Sequence, residues 1–206
     1  MSMALVRMRE VKIGKDTKKV AVPADPESQM DADWRRYGEQ DRFFPFWLEA
    51  WPSSYALYDY LNRQEISWSF AVEVGCGCGV FAQLAQDMPG FLLHTDLVPS
   101  ACAFAKKQIS TSNRFFASMD MAKPIWNAKP DFIFAADIFY EYPLITLFTD
   151  MLRNHNLRAI VADPGRSSRP EVAERLYASG LVKDRIAWNY LLDDQGYSSV
   201  IWNLSV

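Results

Sequence analysis

Histidine and cysteine are the scarcest reactive side chains in this chain, with two of the first and three of the second among 206 residues. Three unevenly placed cysteines (Cys76, Cys78, Cys102) do not make the paired framework of a small secreted protein. His94 and His155 are the only histidines, and neither lies near Cys76 and Cys78 in sequence, so these two read as small loop residues rather than metal ligands. Long hydrophobic runs are missing as well. No apolar stretch approaches the ~18 residues of a membrane-spanning helix. The N-terminus lacks the apolar core of a signal peptide, and Glu10 and Asp16 sit poorly in an acid-poor transit peptide. Nor is there a surplus of positive charge: 22 Lys and Arg stand against 25 Asp and Glu, a net −3. Nucleic-acid and membrane-surface proteins usually carry a basic excess, so neither partner is expected. With 50% hydrophobic and 23% charged residues, the composition is that of an ordinary globular protein. A soluble, cytoplasmic protein in a reducing setting is the expectation.

Residues 5–22 alternate through Leu5, Arg7, Arg9, Val11 and Ile13, break at Gly14-Lys15-Asp16, and resume at Val20 and Val22. This predicts a β-hairpin with a weakly basic face. Pro23 to Asp41 is polar and acidic and reads as a connector or arm whose acids are solvated. Aromatic residues then crowd in: ten of the chain's 29 fall between Trp34 and Tyr60. A free linker would not carry that density, so the segment must pack on something.

From Ser53 onward the pattern alternates between the two kinds of element. Helices are predicted from Ser53 or Ser54 to Gln64, over Val80–Met88, Ser100–Ser112 and Leu144–His155, and from Pro170 to a stop at Gly180. Apolar strands are predicted at Ser69–Gly75, Phe91–Leu97, Arg114–Met121, Asp131–Ile138 and Ala159–Asp163. Near-continuous apolar strands between helices imply a parallel sheet covered on both faces, an α/β Rossmann-like architecture. Two further strands, Val182–Tyr190 and Tyr197–Ser205, have no helix between them and predict an antiparallel hairpin at one edge.

The sharpest motif is Glu73-Val74-Gly75-Cys76-Gly77-Cys78-Gly79, after the first core strand and opening a helix. Glycines there let a backbone approach a ligand, and the free N–H groups at a helix start favour an anionic group. They would also serve a tight turn with no ligand. Dinucleotide folds space these glycines as G-x-G-x-x-G; here they run G-x-G-x-G behind an acid. This spacing resembles the first motif of seven-strand S-adenosylmethionine-dependent methyltransferases. The resemblance implies S-adenosyl-L-methionine as cofactor, held by Glu73, Gly75, Gly77 and Gly79. It places Asp96, which closes the second strand 17 residues after Gly79, on the ribose hydroxyls and Asp120 near the adenine amino group.

Three further stretches narrow the resemblance. Phe44-Pro45-Phe46-Trp47 leads to Trp51-Pro52; the fourth strand ends Ala135-Ala136-Asp137-Ile138-Phe139-Tyr140-Glu141; the fifth ends Ala162-Asp163-Pro164-Gly165-Arg166. Together they are similar to family 16 of the methyltransferases, the protein-lysine group, and within it to the branch that methylates the electron transfer flavoprotein beta subunit. The likeness spans roughly Phe44 to Leu176, with Ser53-Ser54 standing where the branch commonly has two glycines. It implies Asp137 and Tyr140 as catalytic residues of a D-x-x-Y motif, with Trp51 and Ala136 beside the cofactor and Trp47 in the core. It also implies a methyltransferase domain over 46–206, behind a hairpin and aromatic-rich arm over 1–45, and a protein substrate.

Two other functions compete. A small-molecule N-methyltransferase acting on a nicotinamide-like amine would use the aromatic segment to close its pocket, and a non-catalytic cofactor-binding module would keep the fold alone. A nucleic-acid amine methyltransferase would show Asp/Asn-Pro-Pro-Tyr, but Ile138-Phe139 occupies the place of both prolines.

Overall fold

The strands that read as unbroken apolar runs are buried on both sides. In β6 (Phe132–Ala136), Phe134 and Ala136 join one hydrophobic cluster while Ile133 and Ala135 join another. In β7 (Arg158–Asp163), Ile160 and Ala162 face the first cluster, and Ala159 and Val161 the second. Alternation within a wholly apolar segment is what a sheet between two helical layers requires. The protein is described by a computed structural model over residues 5–37, 46–165 and 170–206.

Helices α2 (Pro52–Arg63), α3 (Val80–Leu84) and α4 (Pro99–Lys107) supply the first cluster through Leu57, Leu61, Phe81 and Phe104. Helices α5 (Tyr142–His155) and α6 (Pro170–Ala178) supply the second through Phe148, Leu152 and Leu176. Both α2 and α4 open on a proline, which loses nothing at a helical position whose N–H has no partner.

Described strands make one sheet in the order β2-β1-β8-β9-β7-β6-β3-β4-β5. In it β3 is Phe70–Val74, β4 Phe91–Asp96 and β5 Arg114–Ser118, all parallel to one another and to β6 and β7. The expected terminal hairpin is present: β8 (Val182–Leu192) and β9 (Gln195–Ser205) are antiparallel, and β9 runs antiparallel to β7. Its two turn residues, Asp193 and Asp194, both take positive φ (52° and 62°), the geometry that matches the strands' twist.

The strand count differs from the expectation. Seven strands form the expected core, but the N-terminal hairpin, β1 (Val6–Ile13) and β2 (Asp16–Pro23), extends the same sheet to nine. The join is narrow. Ile13 pairs with Leu192, Gly14 N–H donates to the Leu191 carbonyl at 3.1 Å, and Lys12 N–H donates to the Asp193 carboxylate at 2.9 Å. The hairpin then lies against the α3 side, where Val11, Ile13, Val20 and Val22 complete the first cluster.

A second departure falls in the polar stretch after the hairpin, which is a helix, α1 (Pro26–Tyr37), with Asp33 buried rather than solvated. Two other bounds shorten: α3 tightens into a 3-10 turn at Ala85–Asp87, and α4 stops at Lys107. No helix among the described residues is long and apolar enough to cross a membrane.

Gln83 of α3 closes the outer edge of β2, accepting the Ala21 N–H at 2.7 Å and donating to the Ala21 carbonyl at 3.0 Å, all in a buried setting. Gln83→Leu leaves both groups without a partner. At about 1–3 kcal/mol for a buried orphan, it should lower stability by about 2 kcal/mol or more in urea titration.

Candidate active site

The chain leaves β3 toward β4 and β5 on one side and returns at β6 to build β7 on the other, so β3 and β6 flank a switch in strand order. Open α/β sheets bind ligands at the carboxyl ends of such strands. A cavity of about 480 Å³ opens there, within the usual range for small-molecule sites.

Its floor is the loop after β3. Gly75 and Gly77 line the cavity with φ of 74° and 54°. A Cβ on Gly75 would lie 2.8 Å from Ile138 Cγ2, and one on Gly79 (φ 79°) would lie 2.5 Å from Ala105 Cβ, so the loop is wedged between the end of β6 and helix α4. Cys76 and Cys78 are buried within it, and burial pushes the Cys78 thiol up to about 12, which keeps it neutral.

Asp96 ends β4 on the same wall. Its carboxylate accepts the Gly77 N–H and the Val98 N–H, both at 2.9 Å, tying the glycine loop to the turn that opens α4. Burial pushes its pKa up to about 6, against the lowering effect of those two N–H groups. Each oxygen keeps acceptor capacity, so the group can still take hydroxyl donors from a ligand. Met119, Asp120 and Met121 continue this wall after β5, and the Asp120 carboxylate accepts the Ala122 N–H at 3.0 Å.

The opposite wall follows β6. Ala136 and Asp137 line the cavity, and Asp137 takes a left-handed φ of 56°, which non-glycine residues adopt at some cost. That turn buries Ile138 and Phe139, 5% and 2% exposed, with Ile138 still on the cavity wall, and returns Tyr140 to the cavity. The Tyr140 ring packs on Phe46 with centroids 4.7 Å apart. Burial, with the negative charges of Asp96 and Glu141, pushes its hydroxyl up to about 12, so it holds its proton at neutral pH.

Trp51 closes the site with its indole N–H donating to the Phe46 carbonyl at 3.0 Å. Trp47, expected only in the core, is buried and also lines the cavity.

Eight of the expected site residues therefore meet: Trp51, Gly75, Gly77, Asp96, Asp120, Ala136, Asp137 and Tyr140 all line the cavity. Two do not. Gly79 sits under α4, where it allows the loop's close approach. Glu73 is 1% exposed behind the loop and hydrogen-bonds His94 Nδ1, with the His94 ring stacked on Phe116. Glu73 thus braces β3 against β4 and does not line the cavity. Asp163 is buried and accepts the Gly165 N–H at 2.8 Å, while Phe44, Pro45 and Arg166 fall outside the described residues. Sequence reasoning missed Glu141, Pro143 and Leu144, which form the outer wall at the start of α5. Their one signal was adjacency to Tyr140.

Against solved structures the likeness is extensive. An N-methyltransferase, NodS, from Bradyrhizobium japonicum in complex with S-adenosyl-L-homocysteine superposes with a TM-score of 0.57 at 15% identity, covering 87% of this chain and 98% of that one. Magnesium protoporphyrin IX methyltransferase from Synechocystis matches at 0.56 and 14%, covering 88% and 96%. The fold is that of the S-adenosylmethionine-dependent methyltransferases. A TehB-like methyltransferase from Corynebacterium glutamicum shares this methyltransferase fold at 0.55 and 14%, covering 86% and 95%. Neither a protein-family model nor a curated protein matches the chain.

The methyltransferase fold's glycine loop yields a graded prediction. In Gly77→Ala the new Cβ would make ordinary van der Waals contact with Trp47 backbone atoms at 3.8 Å, so it should cost only the left-handed strain of about 1–2 kcal/mol. Gly79→Ala adds the collision with Ala105 and should cost about 1–3 kcal/mol more. Parallel urea titrations of the two variants check the order.

Proposed function

We propose that the protein is an S-adenosylmethionine-dependent protein-lysine N-methyltransferase whose substrate is the electron transfer flavoprotein beta subunit. One observation carries the reaction class: the glycine loop, with Gly77 clasped by Asp96, and the Asp137–Tyr140 turn face each other across a single cavity. The cavity also fits the cofactor by charge. Asp96, Asp120, Asp137 and Glu141 stand on its described wall, and carboxylates suit both a sulfonium and an ammonium. The substrate assignment is supported by the family 16 motifs, D-x-x-Y and Asp163-Pro164-Gly165-Arg166 above all.

In this reading Asp96 takes the ribose hydroxyls, Asp120 meets the adenine, and Gly75, Gly77, Ala136 and Trp51 line the remaining contact. When bound, S-adenosylmethionine supplies an electrophilic methyl, which an amine's lone pair takes up as the carbon–sulfur bond breaks toward sulfur. The chain's part is positioning, since transfer needs the nucleophile in line at roughly 3–3.5 Å. A lysine of pKa about 10.4 arrives as an ammonium. Asp137 docks it, and because an opposite charge favours the charged form, Asp137 does not itself release the proton. Desolvation among Phe46, Trp51 and Tyr140 works the other way, and the proton passes to water before transfer. Tyr140, still protonated, orients the neutral nitrogen by hydrogen bonding.

The decisive experiment is transfer of radiolabelled methyl from S-adenosylmethionine into purified electron transfer flavoprotein and, in parallel, into a cell extract. Label should enter the beta subunit, and Asp137→Ala should lower the rate by about 100-fold, the cost of losing nucleophile alignment. Label confined to the extract's small-molecule fraction would reassign the substrate to a small amine. Binding of S-adenosylhomocysteine with no transfer in either sample would leave a non-catalytic module.

Asp96 also makes cofactor affinity depend on pH. With its folded value near 6, above the unfolded value of about 3.9, the group is protonated in the fold through that window. Its ionised form costs stability above pH 6, and that cost is relieved as pH falls through the window. Ribose hydroxyls are held best by the ionised form. Calorimetric S-adenosylhomocysteine affinity should therefore weaken below pH 6, and Asp96→Asn should be weak and flat across the same range.

A further inference from the structure

Asp33 is 2% exposed on α1, a helix that is otherwise polar and mostly exposed. A carboxylate removed from water is costly unless hydrogen bonds replace its hydration. Here three side-chain donors do. Trp47 Nε1 donates to one oxygen at 2.8 Å; Ser100 Oγ, at 2.9 Å, and Gln29 Nε2, at 3.2 Å, donate to the other. Tyr37, one turn further along α1, adds a second tie to Ser100 Oγ at 3.0 Å.

The donors' positions matter more than their number. Trp47 belongs to the 3-10 turn Phe46–Leu48, which walls the cavity. Ser100 stands in the first turn of α4, just past Asp96, Leu97 and Val98, all three on the same wall. That turn is the positive end of the α4 dipole, where an anion is favoured. The Trp47 ring also packs on Phe104 of α4, with centroids 5.8 Å apart. An indole N–H can only donate, so Trp47 depends on an acceptor at this point.

We propose that Asp33 is a positioning residue for the cofactor, fixing Trp47 and the start of α4 so that the aromatic wall and the Asp96–Val98 wall keep their spacing. This rests on the cofactor reading above. Asp33 touches no part of the cavity itself and acts through Trp47 and Ser100.

The conservative variant separates geometry from charge. In Asp33→Asn the amide oxygen still accepts from Trp47, while the amide nitrogen donates to Ser100, whose hydroxyl can accept, and Gln29 can present its carbonyl. In Asp33→Ala the indole has no partner. Calorimetry with S-adenosylhomocysteine, well below each variant's unfolding temperature, should find wild-type affinity in Asp33→Asn. It should be weaker by about tenfold or more in Asp33→Ala, the worth of a hydrogen bond to a charged group. Steady-state transfer should show a raised KM for S-adenosylmethionine with kcat and the KM of the amine substrate unchanged. Should Asp33→Ala fail to fold, Trp47→Phe keeps an aromatic ring at that place, removes the indole donor, and should weaken affinity in the same direction. Equal affinity in wild type, Asp33→Ala and Trp47→Phe would overturn the proposal while leaving the cofactor reading intact. Wild-type protein that binds no S-adenosylhomocysteine would overturn the cofactor reading and this proposal with it.

Discussion

The glycine loop lies too close to its neighbours on two sides to carry side chains at Gly75 or Gly79, and the rest of the site is arranged around that fit. Contact with Ile138 brings the loop against the end of β6, and contact with Ala105 brings it against α4. The same two approaches bring Asp137 and Asp96 to opposite sides of one cavity. A loop held further out would separate the cavity floor from the Asp137–Tyr140 turn. Close packing of backbone on side chain is thus what couples the two halves of the site.

Asp137 sits at the end of this chain of contacts. Its left-handed backbone is a local cost, and its N–H is anchored to the Ala162 carbonyl of β7 at 2.9 Å. Of four consecutive residues the turn sends Phe139 alone away from the cavity, while Asp137, Ile138 and Tyr140 line it. The two apolar residues between Asp137 and Tyr140 are therefore not spacers. Ile138 is the surface on which Gly75 rests, so the motif's middle positions build the loop contact while its ends present the polar groups.

Legibility in the sequence followed the range of the interaction. The parallel core, the terminal hairpin and the positions of Gly75, Asp96 and Asp137 at strand ends were readable because apolar runs and glycine spacing are local patterns. The ninefold sheet was not. A single bridge, Ile13 to Leu192, joins segments almost the whole chain apart, and no local pattern announces it. Glu73 was expected at the cofactor because it stands two residues before Gly75, and nothing in the local pattern signals its buried hydrogen bond to His94, 21 residues on. Asp33 was read as solvated because its neighbours along α1 are polar; its burial comes from Trp47 and Ser100, 14 and 67 residues away.

Two of the wall carboxylates, Asp96 and Asp137, are held in different ways. Asp96 is locked by two backbone N–H groups, so its orientation is set before any ligand arrives, and burial raises its pKa to about 6. A ligand that offers hydroxyl donors restores part of the lost hydration and favours the ionised form. Asp137 lines the cavity from a turn whose backbone N–H is anchored to the Ala162 carbonyl. The sheet supplies the difference: a strand end at β4 that continues through backbone donors into a helix, and a strand end at β6 that reverses hand before its helix begins.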